Sequence, residues 1–596
     1  MSSPSDLTPR RFAALLVLLV TLGAGLRFVF PTADPPWQAA VGITWHDEGP
    51  WVHNARNKVL WGEWSTDRWN PMYLTPVFTG LEYVALSAFG VGQWQVRTVS
   101  QVMGLLSILA VGLGVAACAS RRAGIAAAAL LATNYIWVMW NRAALMETTM
   151  VAFIAISWSA YALAYRRPIW GAVAGVSAIL AFFTKAAAAF YLGALGLEVV
   201  IAVAGSGSGL QGRAFGVGRA QSGTPDPEGP TPEARPRQAA LWTLAGAAAA
   251  GTLFLVFFVV PYWQEFRFYN WQMSVTRKPT YGVHALVDRA SWLPVIHDFF
   301  TRQWLITVTA LAACFGLVVR WRSASGPDRL LVLWVALGML EMIVHDVGNE
   351  RRYIFLIPAF VVLAVLVLVR DGRLLPMAAA AVPARVRWLA LPLVLYAAYI
   401  ALGAIVRLPF LYDVRPSVRA SAVAAVLVTL TAYASWKRLG PWLAGQSWTS
   451  GAALVIVGVL MAGDLAQFGQ WAAARTYKNV TASRLLGEWL PPGTLVQGKL
   501  ANGLALDNRI KPIFVGRGFG NYEDRLTRTD THYLLTYLTP WKGYEGPVIT
   551  DVLDGCPGWR ILRTFDVAET AGGHDRAALI LKPASCQPAR SPSAKD

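Results

Sequence analysis

Cysteine and charge are the scarce residues of this chain. Four cysteines in 596 residues exclude a disulfide-dense scaffold, and no C-x-x-C or Cys/His spacing offers a structural metal site. Charged residues make up only 14%, against about a quarter in a soluble domain, so an assembly of ordinary soluble domains is excluded. Carboxylates are the scarcer sign, with 34 Asp and Glu against 52 Lys and Arg and a formal net charge of +18. That excess does not describe a nucleic-acid binder, because the bases fall in short clusters between apolar runs, where they orient helices against the cytoplasmic leaflet. There is no D-x-D, no fixed-period repeat and no G-x-G-x-x-G fingerprint. The run G-R-G-F-G-N at 516–521 reads as turn geometry rather than a nucleotide loop.

Apolar sequence is what is present in excess. Hydrophobic residues reach 55% and mean hydropathy is +0.43. Apolar runs long enough to cross a bilayer as helices recur near 11–31, 97–119, 123–141, 147–165, 168–184, 186–204, 238–261, 303–320, 328–345, 353–370, 387–406, 420–436 and 448–466. The expected class is therefore a polytopic α-helical membrane protein with about thirteen spans over 1–466. With Arg10 and Arg11 inside, the alternate loops carry Arg121 with Arg122, Arg166 with Arg167, Arg213 to Arg237, Arg320 to Arg329, Arg370 to Arg387, and Lys437 with Arg438, all cytoplasmic under the positive-inside rule. The first segment reads as a retained signal anchor, since no small-residue cleavage site follows it. The stretch 72–92 carries Pro76, Gly80 and Glu82 and is expected as an interfacial helix of a first external loop, 32–96. The Gly-, Ser- and Pro-rich stretch 203–237 is expected to be a cytoplasmic linker.

From residue 467 the composition shifts. P-P-G, N-G and D-N turn signals separate short β-type runs, among them T-L-V-Q-G, K-P-I-F-V-G, H-Y-L-L-T-Y-L and A-A-L-I-L, and the amphipathic A-S-R-L-L-G-E-W-L precedes them. This predicts a small α/β domain over 467–596, placed on the extracytoplasmic side by the odd number of spans, with a disordered tail. Cys556 and Cys586 both belong to it and could pair in an oxidising exterior. The expected location is the cell's inner (plasma) membrane, with the N-terminus in the cytoplasm.

Polar residues recur at the external ends of the spans. I-T-W-H-D-E-G-P-W at 43–51 sets Asp47 and Glu48 beside His46 in a loop dense in Trp45, Trp51, Trp61, Trp64 and Trp69. W-N-R-A-A-L-M-E adds Arg142 and Glu147, F-F-T-K adds Lys185, and D-V-G-N-E-R-R-Y adds Arg351, Arg352 and Tyr353. Taken singly, each has an ordinary reading: a lysine at a helix end snorkels to headgroups, and an arginine there is a boundary residue. Together they outline an external cleft with carboxylates on one side and cations on the other, and ionisable groups near membranes are enriched in function.

This arrangement resembles the GT-C membrane glycosyltransferases, specifically the protein O-mannosyltransferase and aminoarabinose-transferase branch called glycosyltransferase family 39. The likeness is carried by D-E in the first external loop followed by A-R and G-x-W, by Arg97, by R-x-x-x-M-E at 142–147, by Lys185, and by Arg352, Tyr353 and Pro358. Two positions depart from the pattern: N-P-M-Y at 70–73 stands where the family has H-P-P-L, and Glu147 where it commonly has Asp. The resemblance implies transfer of a sugar from a polyprenyl-phosphate donor to a lipid, glycan or protein acceptor outside the cytoplasm, with inversion. In that reading Asp47 is the base, and Glu48 and Glu147 are its supports or contacts of the donor sugar. Lys185, Arg351, Arg352 and Tyr353 hold the phosphate, with His46 and Arg142 supporting. A carboxylate beside phosphate can also recruit a divalent cation, so metal is left open. The rivals are a flippase of lipid-linked sugars, which would set its charges nearer the bilayer midplane, and a non-catalytic glycan-binding membrane protein.

Overall fold

The computed structural model describes residues 6–36, 45–205, 234–273, 283–288, 291, 300, 303–345, 350–371, 390–405, 417–435, 437–438, 450–516, 518–538, 551–568 and 575–583. The helices in chain order are α1 Pro9–Phe28, α2 Glu48–Trp61, α3 Pro76–Phe89, α4 Gln93–Cys118, α5 Arg121–Thr133, α6 Tyr135–Asn141, α7 Met146–Ala164, α8 Trp170–Thr184, α9 Ala189–Gly205 and α10 Ala234–Phe254. They continue with α11 Trp263–Trp271, α12 Trp304–Val319, α13 Gly326–His345, α14 Ile357–Val365, α15 Ala390–Ile405, α16 Val418–Ala434, α17 Ser450–Ala473, α18 Lys478–Trp489 and the short α19 Lys499–Gly503.

Among the described residues six helices are long and apolar enough to cross a membrane, or seven if the bent pair α5 and α6 is one span, and shorter apolar helices stand at most of the other expected positions. The bend of 62° between α5 and α6 breaks the expected span at 123–141. Its cause is local: Asn134 leaves the helical region and its side-chain oxygen accepts from the Trp137 amide at 2.9 Å, starting a new helix. At 72–92 only Pro76–Phe89 is helical, a length short of a span. Of the 203–237 stretch expected as a linker, the first three residues belong to α9 and the last four to α10, and 206–233 lie outside the described residues.

The apolar core is built where α4, α7, α8 and α10 pack in succession and where α14 is enclosed by α5 and α12. α14 is apolar on every face and every residue in it is buried, as expected for a helix with no solvent side. The reverse pattern is seen on the bundle surface, where the apolar Leu253 of α10 and Val256, Phe257 and Val260 just after it are exposed.

The C-terminal domain has a mixed five-stranded sheet. Strands β1 Leu495–Gln497, β2 Lys511–Ile513, β5 Tyr533–Tyr537, β6 Arg560–Val567 and β7 Asp575–Leu581 lie in the order β2-β1-β5-β7-β6, with β1 parallel to both its neighbours and β7 antiparallel to both of its own. β3 Val515–Gly516 and β4 Phe519–Gly520 form a separate hairpin. The G-R-G-F-G-N run is thus a turn, and Gly518 and Gly520 take φ of 73° and 67°, conformations that a side chain would strain. Cys556 is disulfide-bonded, Cys118 and Cys314 carry no disulfide, and Cys586 lies outside the described residues.

This domain is seated on the loop between α1 and α4 by buried polar contacts. Asp34 accepts from the Thr476 hydroxyl at 2.7 Å and from the amides of Lys478 and Asn479 at the start of α18. Arg56 on α2 donates to the carbonyls of Ala505, Asn508 and Ile510. Asp67 accepts from the Phe514 amide and the Asn521 side chain. Gly49 on α2 lies so close to the domain that a Cβ there would overlap the Asn502 carbonyl. Burial raises the Asp34 carboxyl above its usual range against the pull of those donors, and lowers the Arg56 guanidinium to about 9.

Candidate active site

Asp47 occupies the joint between a 3-10 turn, Trp45–Asp47, and the start of α2. The unpaired amides of a helix N-terminus favour a carboxylate there. Its side chain keeps 11% exposure, and Nε2 of His46 lies 3.5 Å from Oδ1. The other ring nitrogen of His46, Nδ1, lies 3.3 Å from the Tyr537 hydroxyl on β5. His46 therefore lies between Asp47 and the C-terminal domain.

Glu48 turns into the protein and is fully buried. Arg97 on α4 donates to both its oxygens, at 2.9 Å and 2.8 Å, and the Ala144 amide donates to Oε1 at 2.8 Å. The same guanidinium reaches the carbonyls of Pro31 and Ala33. Three of the roughly four acceptor sites of this carboxylate are therefore taken by the arginine fork and the amide. Glu48, expected from the sequence among the catalytic carboxylates as a support of Asp47 or a sugar contact, is thus tied to α4 and to the 142–147 segment.

That segment leads to Glu147 in the first turn of α7, 1% exposed, whose Oε1 accepts from Lys185 Nζ at 2.6 Å. Lys185 follows the end of α8 in extended conformation and keeps 19% side-chain exposure. The structure thus pairs two residues expected on opposite sides of the cleft. Arg142 is a helix cap: it donates to the carbonyls of Leu26, Arg27, Val29 and Phe30 at the end of α1, and its guanidinium lies 4.5 Å from the Trp471 ring. Its support is structural.

Arg351 and Arg352 belong to a 3-10 segment, Glu350–Phe355, that packs against α7, and their side chains lie outside the described residues. Tyr353 is 2% exposed, with its hydroxyl 3.4 Å from Gln303 Oε1 and its ring against Phe300. The residue expected from the sequence to hydrogen-bond the phosphate is therefore a buried one. Among the described residues no three His, Cys, Asp or Glu side chains converge to hold a metal ion. Sequence reading passed over the partners of these residues, Arg97 as the mate of Glu48 and Asp67 as the mate of His53, at 3.1 Å. The one available signal was their position: a lone acid or base in an apolar or Trp-rich setting needs a partner from elsewhere in the chain.

Residues 75–208 match the family model described as dolichyl-phosphate-mannose-protein mannosyltransferase. That stretch includes Arg97, Arg142, Glu147 and Lys185; Asp47 and Glu48 precede it. No curated protein matches the sequence. Two crystal structures of ArnT from Cupriavidus metallidurans, in the apo state and bound to undecaprenyl phosphate, are each 15% identical to the chain. They cover 95% and 96% of it and 98% and 97% of their own length, with TM-scores of 0.51 and 0.50. The fold is that of a GT-C membrane glycosyltransferase. The archaeal oligosaccharyltransferase AglB from Archaeoglobus fulgidus, in complex with an inhibitory peptide and a dolichol-phosphate, is 13% identical with a TM-score of 0.43, covering 88% of this chain and 69% of its own. Within this fold, the Asp47 turn, the Glu48–Arg97 clamp and the Glu147–Lys185 pair form one connected region between the loop that follows α1 and the ends of α4, α7 and α8.

Proposed function

We propose that this protein transfers a sugar from a polyprenyl-phosphate donor to an acceptor hydroxyl on the extracytoplasmic side of the inner membrane. The observation that carries this reading is the contiguity of the Asp47 turn, through Glu48 and Ala144, with the segment whose Glu147 holds Lys185. A carboxylate and a cation are thereby held in one framework at the membrane surface. The likeness to ArnT, whose structure contains undecaprenyl phosphate, supports the donor class.

The chemistry needs little more. The acceptor oxygen attacks the anomeric carbon, its proton passes to the Asp47 carboxylate, and the bond to the phosphate breaks with the electron pair leaving on the lipid phosphate. Attack opposite the leaving group inverts the anomeric centre. A positioned base contributes roughly 10²–10⁴ in rate, and a fixed cation stabilises the departing charge. Lys185 suits that task because an ammonium has three donors and Glu147 fixes its direction while leaving part of it accessible. Arg351 and Arg352, on the 3-10 segment against α7, are the further candidates for the phosphate.

The test is turnover by the purified protein in detergent, with undecaprenyl-phosphate-linked sugars and release of undecaprenyl phosphate as the readout. Lys185→Met should weaken binding of undecaprenyl phosphate at least tenfold. Movement of the lipid-linked sugar across vesicles without any transfer would replace this reading by the flippase.

A further inference from the structure

A second cleft, of about 440 Å³, opens between the first external loop, α11 and the β3–β4 hairpin. Its volume lies within the range of small-ligand pockets, ~300–1,000 Å³. Asp67, Asn70 and Tyr269 build its floor and are already committed to one another and to the backbone. Asp67 is taken by His53 and by the Trp69 and Phe514 amides, and the Tyr269 hydroxyl donates to the Arg68 carbonyl and accepts from Asn70. The groups left for a ligand lie on the walls. Phe268, 57% exposed, offers a bare ring face, and Gln264 and Glu265 are exposed with no hydrogen bond among the described residues. Gln272 donates to the Gly518 carbonyl at 3.2 Å, and its Oε1 is buried without a partner.

An aromatic face with amides and a carboxylate at its margin is the chemistry that recognises a polyol ring: apolar C–H faces against the ring, hydroxyls against the polar groups. The carboxylates Glu265 and Glu523 disfavour an anionic ligand, although Arg68 lies beside Glu523 at 3.8 Å. The cleft is tied to the Asp47 turn through the backbone, since Trp69, next to Asn70 of its lining, donates from Nε1 to the carbonyl of Pro50, three residues after Asp47. Asn70 on its floor and Tyr73, stacked 5.7 Å from Tyr269, belong to the N-P-M-Y run that departs from the family pattern.

We propose that this cleft between α11 and the β3–β4 hairpin binds a neutral saccharide, and that the acceptor is a glycan presented there. The assignment of the saccharide as acceptor rests on the transferase reading; the binding site itself does not. The test uses the full-length protein in detergent and a panel of neutral mono- to tetrasaccharides of hexoses and pentoses, with ligand-observed saturation-transfer NMR and a Ser/Thr peptide as competitor. Wild-type protein should bind at least one saccharide, and Phe268→Ala and Gln272→Ala should each weaken that binding tenfold or more while binding of undecaprenyl phosphate is unchanged. Glu265→Gln, which keeps the shape and the hydrogen bonds in part, should weaken it less. Absence of saccharide binding, binding indifferent to both alanine variants, or displacement of the saccharide by the peptide would overturn the proposal. Saccharide binding that obeys the variants in a protein unable to transfer from any donor would leave this site standing and remove the transferase reading.

Discussion

Asp47→Asn keeps the shape of the side chain and removes its capacity to take a proton, so it should abolish most turnover while undecaprenyl phosphate binds as before; transfer at the wild-type rate would remove Asp47 from the chemistry. Glu48→Gln should act through stability. It leaves the buried Arg97 guanidinium uncompensated, a loss of about 3–5 kcal/mol for a broken buried pair, seen as a lowered melting temperature with measurable activity below it. Lys582 offers a pH test at the same scale. Its Nζ is buried in the external domain and donates to Gln497 Oε1 and Thr531 Oγ1, and burial lowers it to about 8, with Asp530 pulling the other way. An unfolded lysine titrates at about 10.4, so between pH 8 and 10 the unfolded chain binds more protons and folding stability rises with pH. The rise is on the order of 3 kcal/mol at most, and Lys582→Met should flatten it in denaturant titrations. An unchanged slope in that variant would mean that Lys582 is not the group titrating.

At the scale of elements, Gly49→Ala tests how α2 seats the external domain. The added methyl meets the Asn502 carbonyl on α19, and relieving the overlap requires moving one backbone past another. A destabilisation of about 1–3 kcal/mol is expected for such overpacking, with faster proteolysis between α17 and α18 and reduced transfer; wild-type proteolysis would show that the contact is not tight. Elements also set what sequence could reveal. The apolar helices were legible because a bilayer demands about twenty apolar residues whatever their partners, and the expected runs at 303–320 and 420–436 coincide closely with α12 and α16. The break at Asn134 was hidden, because one polar residue inside an apolar run reads as tolerated until its side chain is seen capping α6. β1, β5 and β7 fell on the short β-type runs. Their order did not, since pairing β1 between β2 and β5 is a long-range choice. In the site, the candidate acids and bases were visible by their rarity among apolar neighbours, but their pairings were not. Glu48 and Arg97 are 49 positions apart, Asp34 and Thr476 are 442 apart, and no local pattern encodes such contacts.

At the scale of the whole molecule, sidedness is the property on which donor, acceptor and chemistry all depend. The positive-inside rule predicts Arg121, Arg166 and Arg320 on one face, and the seat formed by Asp34, Arg56 and Asp67 holds the C-terminal domain against the loop that carries Asp47, so the domain and the carboxylate must share a compartment. The disulfide at Cys556 fits an oxidising one. We therefore expect an impermeant maleimide, applied to intact cells after mild reduction, to label Cys556, while a cysteine introduced at Ser206 in the 203–237 linker stays protected until the membrane is opened. Cys118 and Cys314, thiols only partly exposed within apolar helices, should remain unlabelled in both states and serve as internal controls. Labelling at position 206 with Cys556 protected would invert the orientation. Because the seat is part of the fold, that result would carry Asp47 to the cytoplasmic face with the domain, and the donor sugar would have to be met there instead.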